Sequence, residues 1–232
     1  MHEHSHLTNK PWEFRLARGA AALVAGLQFF MVNDFSFGPR WLAPLLEIAR
    51  LIPLSFATPW TMNKAARQHE QHIFDVGKYC RNIRTFAIVL TALVTFMNFI
   101  ALLELVRALL SGKGGAGQSL LLDAINIWTT NVIAFALWFW NIDRGGPALR
   151  GLGRHQSQDF LFPQYALPTP NDGEWSPGFV DYVFLSFTNA TAFSPTDTLP
   201  LSQRAKLLMM AQAAISLLVV ALVAAREVNI LA

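Results

Sequence analysis

Three stretches of nineteen residues carry no charged side chain: Thr85 to Leu103, Ala124 to Ile142 and Leu207 to Ala225. A helix needs about 20 mostly apolar residues to cross the hydrocarbon core of a bilayer. In that core the backbone finds no water, so a spanning segment must satisfy its own N–H and C=O groups, as a helix does. The three runs therefore predict membrane helices. Composition agrees, with 14% charged and 53% hydrophobic residues among 232, where soluble domains average about 25% charged. A lone cysteine, Cys80, excludes a disulfide scaffold.

Two weaker stretches complete the count. Gly19 to Asn33 is uncharged over fifteen residues. Arg15 and Arg18 would suit the flank of a signal peptide, but no small-residue cleavage site follows, so a retained helix is expected at 14–33. The stretch 41–58 is apolar but holds Pro44, Glu47, Arg50 and Pro53, and reads as a kinked span. The other spans are expected at 85–111, 119–142 and 204–228, with the glycine-rich turn 111–117 between two of them. The predicted fold class is thus an all-α integral membrane helix bundle of about five transmembrane helices plus one re-entrant segment. Residues 1–142 form a four-helix region with a basic loop at 59–84, 143–177 an irregular loop, and 178–232 a short helix, a loop and the last span. Trp12, Trp41, Trp60, Trp138 and Trp140 fall near span ends, where interfacial aromatic belts sit. Trp128 is open to core packing.

Basic residues set the orientation. The N-terminus, the 59–84 loop and the 143–206 region together hold 13 Lys and Arg, against 3 on the other side (Arg40, Lys113 and Arg226). The first set is predicted to be cytoplasmic, in a bacterial-type plasma membrane. This accounts for the net charge of +3 without nucleic acid; the expected partners are the bilayer, including its anionic headgroups, and further copies of the chain.

Four charges fall inside predicted spans, in two L-L-E-x-x-R segments: Glu47 with Arg50, and Glu104 with Arg107. Spacing of i,i+3 puts each pair on one helix face, and similar depths allow cross-pairing between the helices. Intramembrane charges are candidates for function; a structural clamp, or snorkelling of Arg107, is the plainer alternative. On the fourth span, Asp123, Asn126 and Thr130 follow the i, i+3, i+7 pattern of one face. Such a face belongs inside the bundle, as interhelical hydrogen bonding or as a cavity lining.

Before the last span, Phe179 to Asn189 is apolar but too short to cross, and a small, polar, proline-broken loop follows. Ser202 stands where an N-cap would open the final helix. Short helix, polar loop and long helix resemble the pore of tetrameric potassium-channel-like proteins. Ser186, Phe187, Thr191, Asp197 and Pro200 match that family's S-F-x-T-x-T-T-V-G-Y-G-D-x-x-P pattern without gaps, over about 50 residues. The stretch F-T-N-A-T-A-F-S-P-T-D-T also resembles that of a group of bacterial multi-span membrane proteins with no assigned activity. Ser194 and Thr196 replace the filter glycines and Pro195 the tyrosine. Glycine permits the backbone that a ring of carbonyls needs, whereas proline fixes φ. The resemblance therefore implies a wider, hydrated pore that does not select potassium, lined by Thr191, Ser194, Thr196 and Asp197. A re-entrant loop that only packs is the alternative. The charge count puts this loop on the cytoplasmic side, opposite to that family.

No catalytic motif appears, so no enzyme is expected. His69-Glu70-Gln71-His72 lacks the i,i+4 histidine spacing of a zinc helix. His2, His4 and His6 form a tail rather than a metal site, and neither metal nor cofactor is predicted. The leading expectation is a pore-loop cation channel or a channel-derived protein. A non-conducting scaffold and a small transporter using the Glu/Arg pairs stand beside it.

Overall fold

The computed structural model describes residues 11–31, 73–110, 117–150, 157–165, 175–192 and 197–231. In chain order the helices are α1 (Pro11–Met31), α2 (Ile73–Leu110), α3 (Gly117–Ile142), α4 (Pro147–Arg150), α5 (Phe179–Thr191) and α6 (Gln203–Leu231). Helices α1, α2, α3 and α6 fall on the first, third, fourth and fifth predicted spans. The span expected at 41–58 lies outside the described residues, as does the loop from 59 to 72. Three segments are long and apolar enough to cross a membrane: Arg81–Leu110, Leu120–Gly145 and Gln203–Ala225.

Helix α3 is central. Within its apolar window 56% is buried, against 28% in α2 and 22% in α6. The outer helices turn large apolar side chains outward: Phe86, Val89, Leu93 and Phe96 on α2, and Leu207, Met210, Leu217 and Val220 on α6. Water-soluble monomers rarely expose apolar patches beyond a few hundred Å², so these faces suit lipid. The chain is all-α in architecture, with the surface of a membrane-embedded bundle.

Two apolar clusters hold the helices together. Leu102, Leu105, Leu120, Ala124, Ile127 and Val219 join α2, α3 and α6. The other is aromatic and gathers at the C-terminal end of α3. Phe139 meets Phe160 at 5.2 Å, Trp140 meets Phe179 at 5.3 Å and Phe162 meets Tyr182 at 5.4 Å between ring centroids, all edge-on. Edge-to-face pairs add about 0.5–1.5 kcal/mol each beyond the area they bury. Trp140, expected in an interfacial belt, is instead 1% exposed in this core. Its ring faces α5, which one-dimensional position relative to a span end does not reveal.

The same aromatics organise the stretch expected to be an irregular loop. Its described parts contain a 3₁₀ turn at Asp143–Gly145, α4, the strand β1 (Phe160–Leu161) and a second 3₁₀ turn at Pro163–Tyr165. Strand β1 pairs antiparallel with β2 (Leu199–Pro200), Phe160 opposite Pro200 and Leu161 opposite Leu199. Burying Phe160 and Phe162 in the core holds this segment in place.

The chain leaves α3 through three consecutive positive-φ residues, Arg144 (50°), Gly145 (81°) and Gly146 (92°). At Gly146 a Cβ would stand 3.0 Å from the Asn141 carbonyl oxygen and 3.3 Å from Arg84 Cδ. Gly146→Ala is therefore expected to cost about 2 kcal/mol, from backbone strain and loss of the close approach of Arg84. Unfolding of the detergent-solubilised variant measures it.

Side-chain partners fix the relative directions of α3, α5 and α6. Phe179, at the start of α5, packs on Trp140 near the end of α3. Two turns further, Ser186 donates to the Val132 carbonyl, and Phe187 meets Trp128. Helix α5 thus runs antiparallel to α3, away from its C-terminal end. Helix α6 starts at that same end, where Ser202 bonds Asp159, and it too runs inward. Asn131, well inside α3, reaches Ser216. Helices α5 and α6 therefore begin at one end of the bundle and descend side by side.

Candidate functional site

Polar side chains tie α5 into the apolar interior. Gln212 lies ten residues past Ser202, roughly 15 Å along the axis, and is fully buried. Its Nε2 donates to the Ser186 carbonyl at 2.9 Å and to Ser186 Oγ at 2.7 Å, while its Oε1 accepts from Asn189 at 2.9 Å. Asn189 also donates to the Met209 carbonyl. Asn131 donates to Ser216 Oγ at 2.9 Å and to the Gln212 carbonyl at 3.3 Å. In a hydrocarbon environment each such group must find a partner within the protein. The arrangement clamps the short helix between α3 and α6.

At the end where α5 and α6 begin, two buried carboxylates and four arginines meet. Asp143 is fully buried. Its Oδ1 accepts the Asp159 N–H at 2.9 Å and the Phe160 N–H at 3.3 Å, and its Oδ2 accepts the Tyr182 hydroxyl. Asp159 is 1% exposed. Arg204 grips it through Nε and Nη2, both at 2.6 Å. Ser202 donates to the same carboxylate while its Oγ accepts the Ala205 N–H, so it opens α6 as expected.

The last carbonyls of a helix have no intrahelical donor and carry the negative end of its dipole. Arginines meet them here. Arg150 Nη1 bonds the Trp140 and Asp143 carbonyls at 3.0 and 2.9 Å. Arg84 Nε bonds that of Asn141 at 2.9 Å, and Arg204 Nη2 stands 3.5 Å from that of Ile142. Arg144 lies over the Tyr165 ring at 4.3 Å and Arg150 over Tyr182 at 5.1 Å. Burial pushes the Tyr165 hydroxyl up to about 12, with Arg144 and Arg150 pulling it down in part. It remains a neutral donor at physiological pH.

The residues singled out from sequence are placed unevenly. Thr191 closes α5, exposed, with its hydroxyl donated back to the Phe187 carbonyl. Asp197 is exposed, with Thr198 Oγ1 at 3.5 Å from its Oδ1. Ser194 and Thr196 lie outside the described residues, as do Glu47 and Arg50. Arg107 donates to Glu104 of its own helix at 2.8 Å, with 69% of the arginine side chain exposed and 19% of the glutamate's. Cross-pairing of Glu104 and Arg107 with Arg50 and Glu47 lies outside the described residues. On α3, Thr130 is buried, Asp123 and Asn126 are half-buried, and the oxygens Asn126 Oδ1 and Thr130 Oγ1 have no partner among the described residues. Asn131, next to that face, makes an interhelical bond to α6.

Asp143, Arg150, Asp159, Tyr182 and Arg204 were not singled out as a group from sequence. Their spacing follows no local period, since the chain returns to the end of α3 three times. The available signal was the breaker run Arg144-Gly145-Gly146-Pro147 beside Asp143. Among the described residues, no cluster of His, Cys, Asp and Glu is suited to a metal. No protein-family model, curated protein or solved structure matches this chain.

Proposed function

We propose that the chain is a re-entrant pore-loop membrane protein that conducts cations without selecting potassium, as a homo-oligomer in a bacterial-type plasma membrane. The observation that carries this reading is that α5 and α6 begin at the same end of the bundle. Helix α5 has 13 residues, roughly 20 Å of rise, too little to cross a bilayer. From Ala192 to Leu199 the chain must come back to the end where β2 pairs with β1. Seven residue steps reach about 23 Å when extended, enough for that return. Thr191 precedes and Asp197 follows residues 193–196, and both are exposed in the single chain, where neighbouring copies would complete a pore.

The two outcomes separate in reconstituted vesicles. The reading expects a cation current that falls in Asp197→Ala, because an acidic ring attracts cations, and changes in Thr191→Ala. Absence of current, or currents unchanged in both variants, would overturn it. A second reading, a non-conducting scaffold, draws on the mutual hydrogen bonds of Ser186, Asn189 and Gln212, which suit fixed packing as well as a fixed pore helix. The transporter reading gains less support, since Glu104 is already partnered within its own helix.

A further inference from the structure

Two spanning helices bring a guanidinium to the same helix end. Arg84 of α2 donates its Nε to the Asn141 carbonyl at 2.9 Å, and Nη2 of Arg204 on α6 stands 3.5 Å from the next carbonyl, that of Ile142. Of the charges around Arg84, that of Arg204 acts most strongly and repels it, while Arg150 adds to the repulsion and Asp159 opposes it. The two guanidiniums therefore sit side by side. Neither is sealed inside the bundle: Arg84 is half-buried, and the Arg204 side chain is 50% exposed. Arg81, fully on the surface, shares a face of α2 with Arg84 and lies three residues, about 4.5 Å, nearer the helix start.

Local packing holds Arg84 in this position. Its stem lies against Gly146, where a Cβ would meet Arg84 Cδ at 3.3 Å. Arg84 gives its Nε to a neutral carbonyl, whereas Arg204 places Nε and Nη2 on Asp159. Arg84, Arg144, Arg150 and Arg204 gather here around two carboxylates, Asp143 and Asp159, so positive charge is in excess among the described residues of this cluster. The C-terminal dipole of α3 offsets only about half a charge. Like charges held together at the edge of an apolar medium favour an anion beside them.

Arg81, Arg84 and Arg204 fall in the first turn of Arg81–Leu110 and Gln203–Ala225, two of the segments long and apolar enough to span a membrane. That puts them at headgroup level. Exposed apolar side chains continue from each into the hydrocarbon: Phe96 and Phe99 on the Arg81 side of α2, Leu207 and Leu218 on the Arg204 side of α6. We propose that Arg81, Arg84 and Arg204 bind the headgroup of an anionic phospholipid whose acyl chains lie along α2 and α6. Basic clusters between membrane helices recruit such headgroups, and a free anion would gain nothing from the apolar stripes below. The inference requires the bilayer but not conduction.

The full chain, delipidated in neutral detergent, serves for the test. Its unfolding temperature is followed against mixed micelles containing phosphatidylglycerol, against phosphatidylcholine and against inorganic phosphate. Phosphatidylglycerol is expected to stabilise the chain where the other two do not. Arg84→Gln should raise the phosphatidylglycerol concentration needed about tenfold, the scale of a lost charge-assisted hydrogen bond. Arg81→Gln should raise it about fivefold, the scale of one basic residue near an anionic surface. Arg81 is exposed, so its replacement should fold even where Arg84→Gln does not. Arg107→Gln supplies the control, since Arg107 is exposed near the other end of α2 and should leave the response unchanged. The proposal is overturned if phosphatidylcholine or inorganic phosphate stabilises as well as phosphatidylglycerol, if no probe stabilises, or if Arg81→Gln weakens the response no more than Arg107→Gln.

Discussion

Asp143→Ala is expected to lose about 3–5 kcal/mol of stability, the usual cost of removing one partner from a buried ion pair. Three donors depend on that carboxylate: the Asp159 and Phe160 N–H groups and the Tyr182 hydroxyl. Arg150, almost fully buried, would keep its charge with no carboxylate within 4 Å among the described residues. Because Asp143 joins the end of α3 to β1 and α5, the damage should not stay local. Unfolding in detergent measures the loss. The double variant Asp143→Ala with Arg150→Met isolates the ionic part, since it removes the stranded charge along with its partner. It should lose less than the sum of the two single variants. A loss below about 1 kcal/mol in Asp143→Ala would show that the hub does not hold the fold.

Gln212→Met is the second substitution with a large expected effect. Methionine matches glutamine in length but neither donates nor accepts as the amide does. The Ser186 carbonyl would lose its donor from α6, and Asn189 would keep only the Met209 carbonyl. Polar groups left unpaired in the interior cost about 1–3 kcal/mol each, while pairwise hydrogen bonds in membrane helices average only about 0.6 kcal/mol. With both groups affected, a loss of about 2–3 kcal/mol is expected. If α5 is a pore helix, its loosening should also alter single-channel current. A Gln212→Met protein with unchanged stability would mean that aromatic packing alone seats α5.

The sequence was most informative where a single helix decides the answer. The uncharged runs at Thr85, Ala124 and Leu207 fall within the three segments that are long and apolar enough to span a membrane, because apolar length is a one-dimensional property. Ser202 was legible as a cap for the same reason, since capping is local. Asn131 was harder to read. Asp123, Asn126 and Thr130 formed the better-spaced face, but which side of α3 meets α6 depends on packing, and the bond to Ser216 fell one residue off that stripe. Asp143, Asp159 and Arg204 were least legible. They lie up to 61 residues apart along the chain, and burial turns ordinary loop charges into a structural centre. Their grouping does accord with the uneven distribution of basic residues, since Arg84, Arg144, Arg150 and Arg204 were assigned to one side and gather at one end.

The central claim is that the chain enters and leaves the membrane on one side between Asp159 and Ser202. Side-selective thiol labelling in sealed vesicles tests it, in a Cys80→Ser background. The labelled positions are Gln158→Cys, Gln203→Cys and Leu110→Cys, all exposed in the structure. Gln158 precedes α5 and Gln203 follows it, while Leu110 ends α2 at the opposite end from Arg84. The account predicts that Gln158→Cys and Gln203→Cys label from the same, cytoplasmic side and Leu110→Cys from the other. Labelling of Gln158→Cys and Gln203→Cys from opposite sides would mean that α5 and its loop cross the bilayer, and would contradict it.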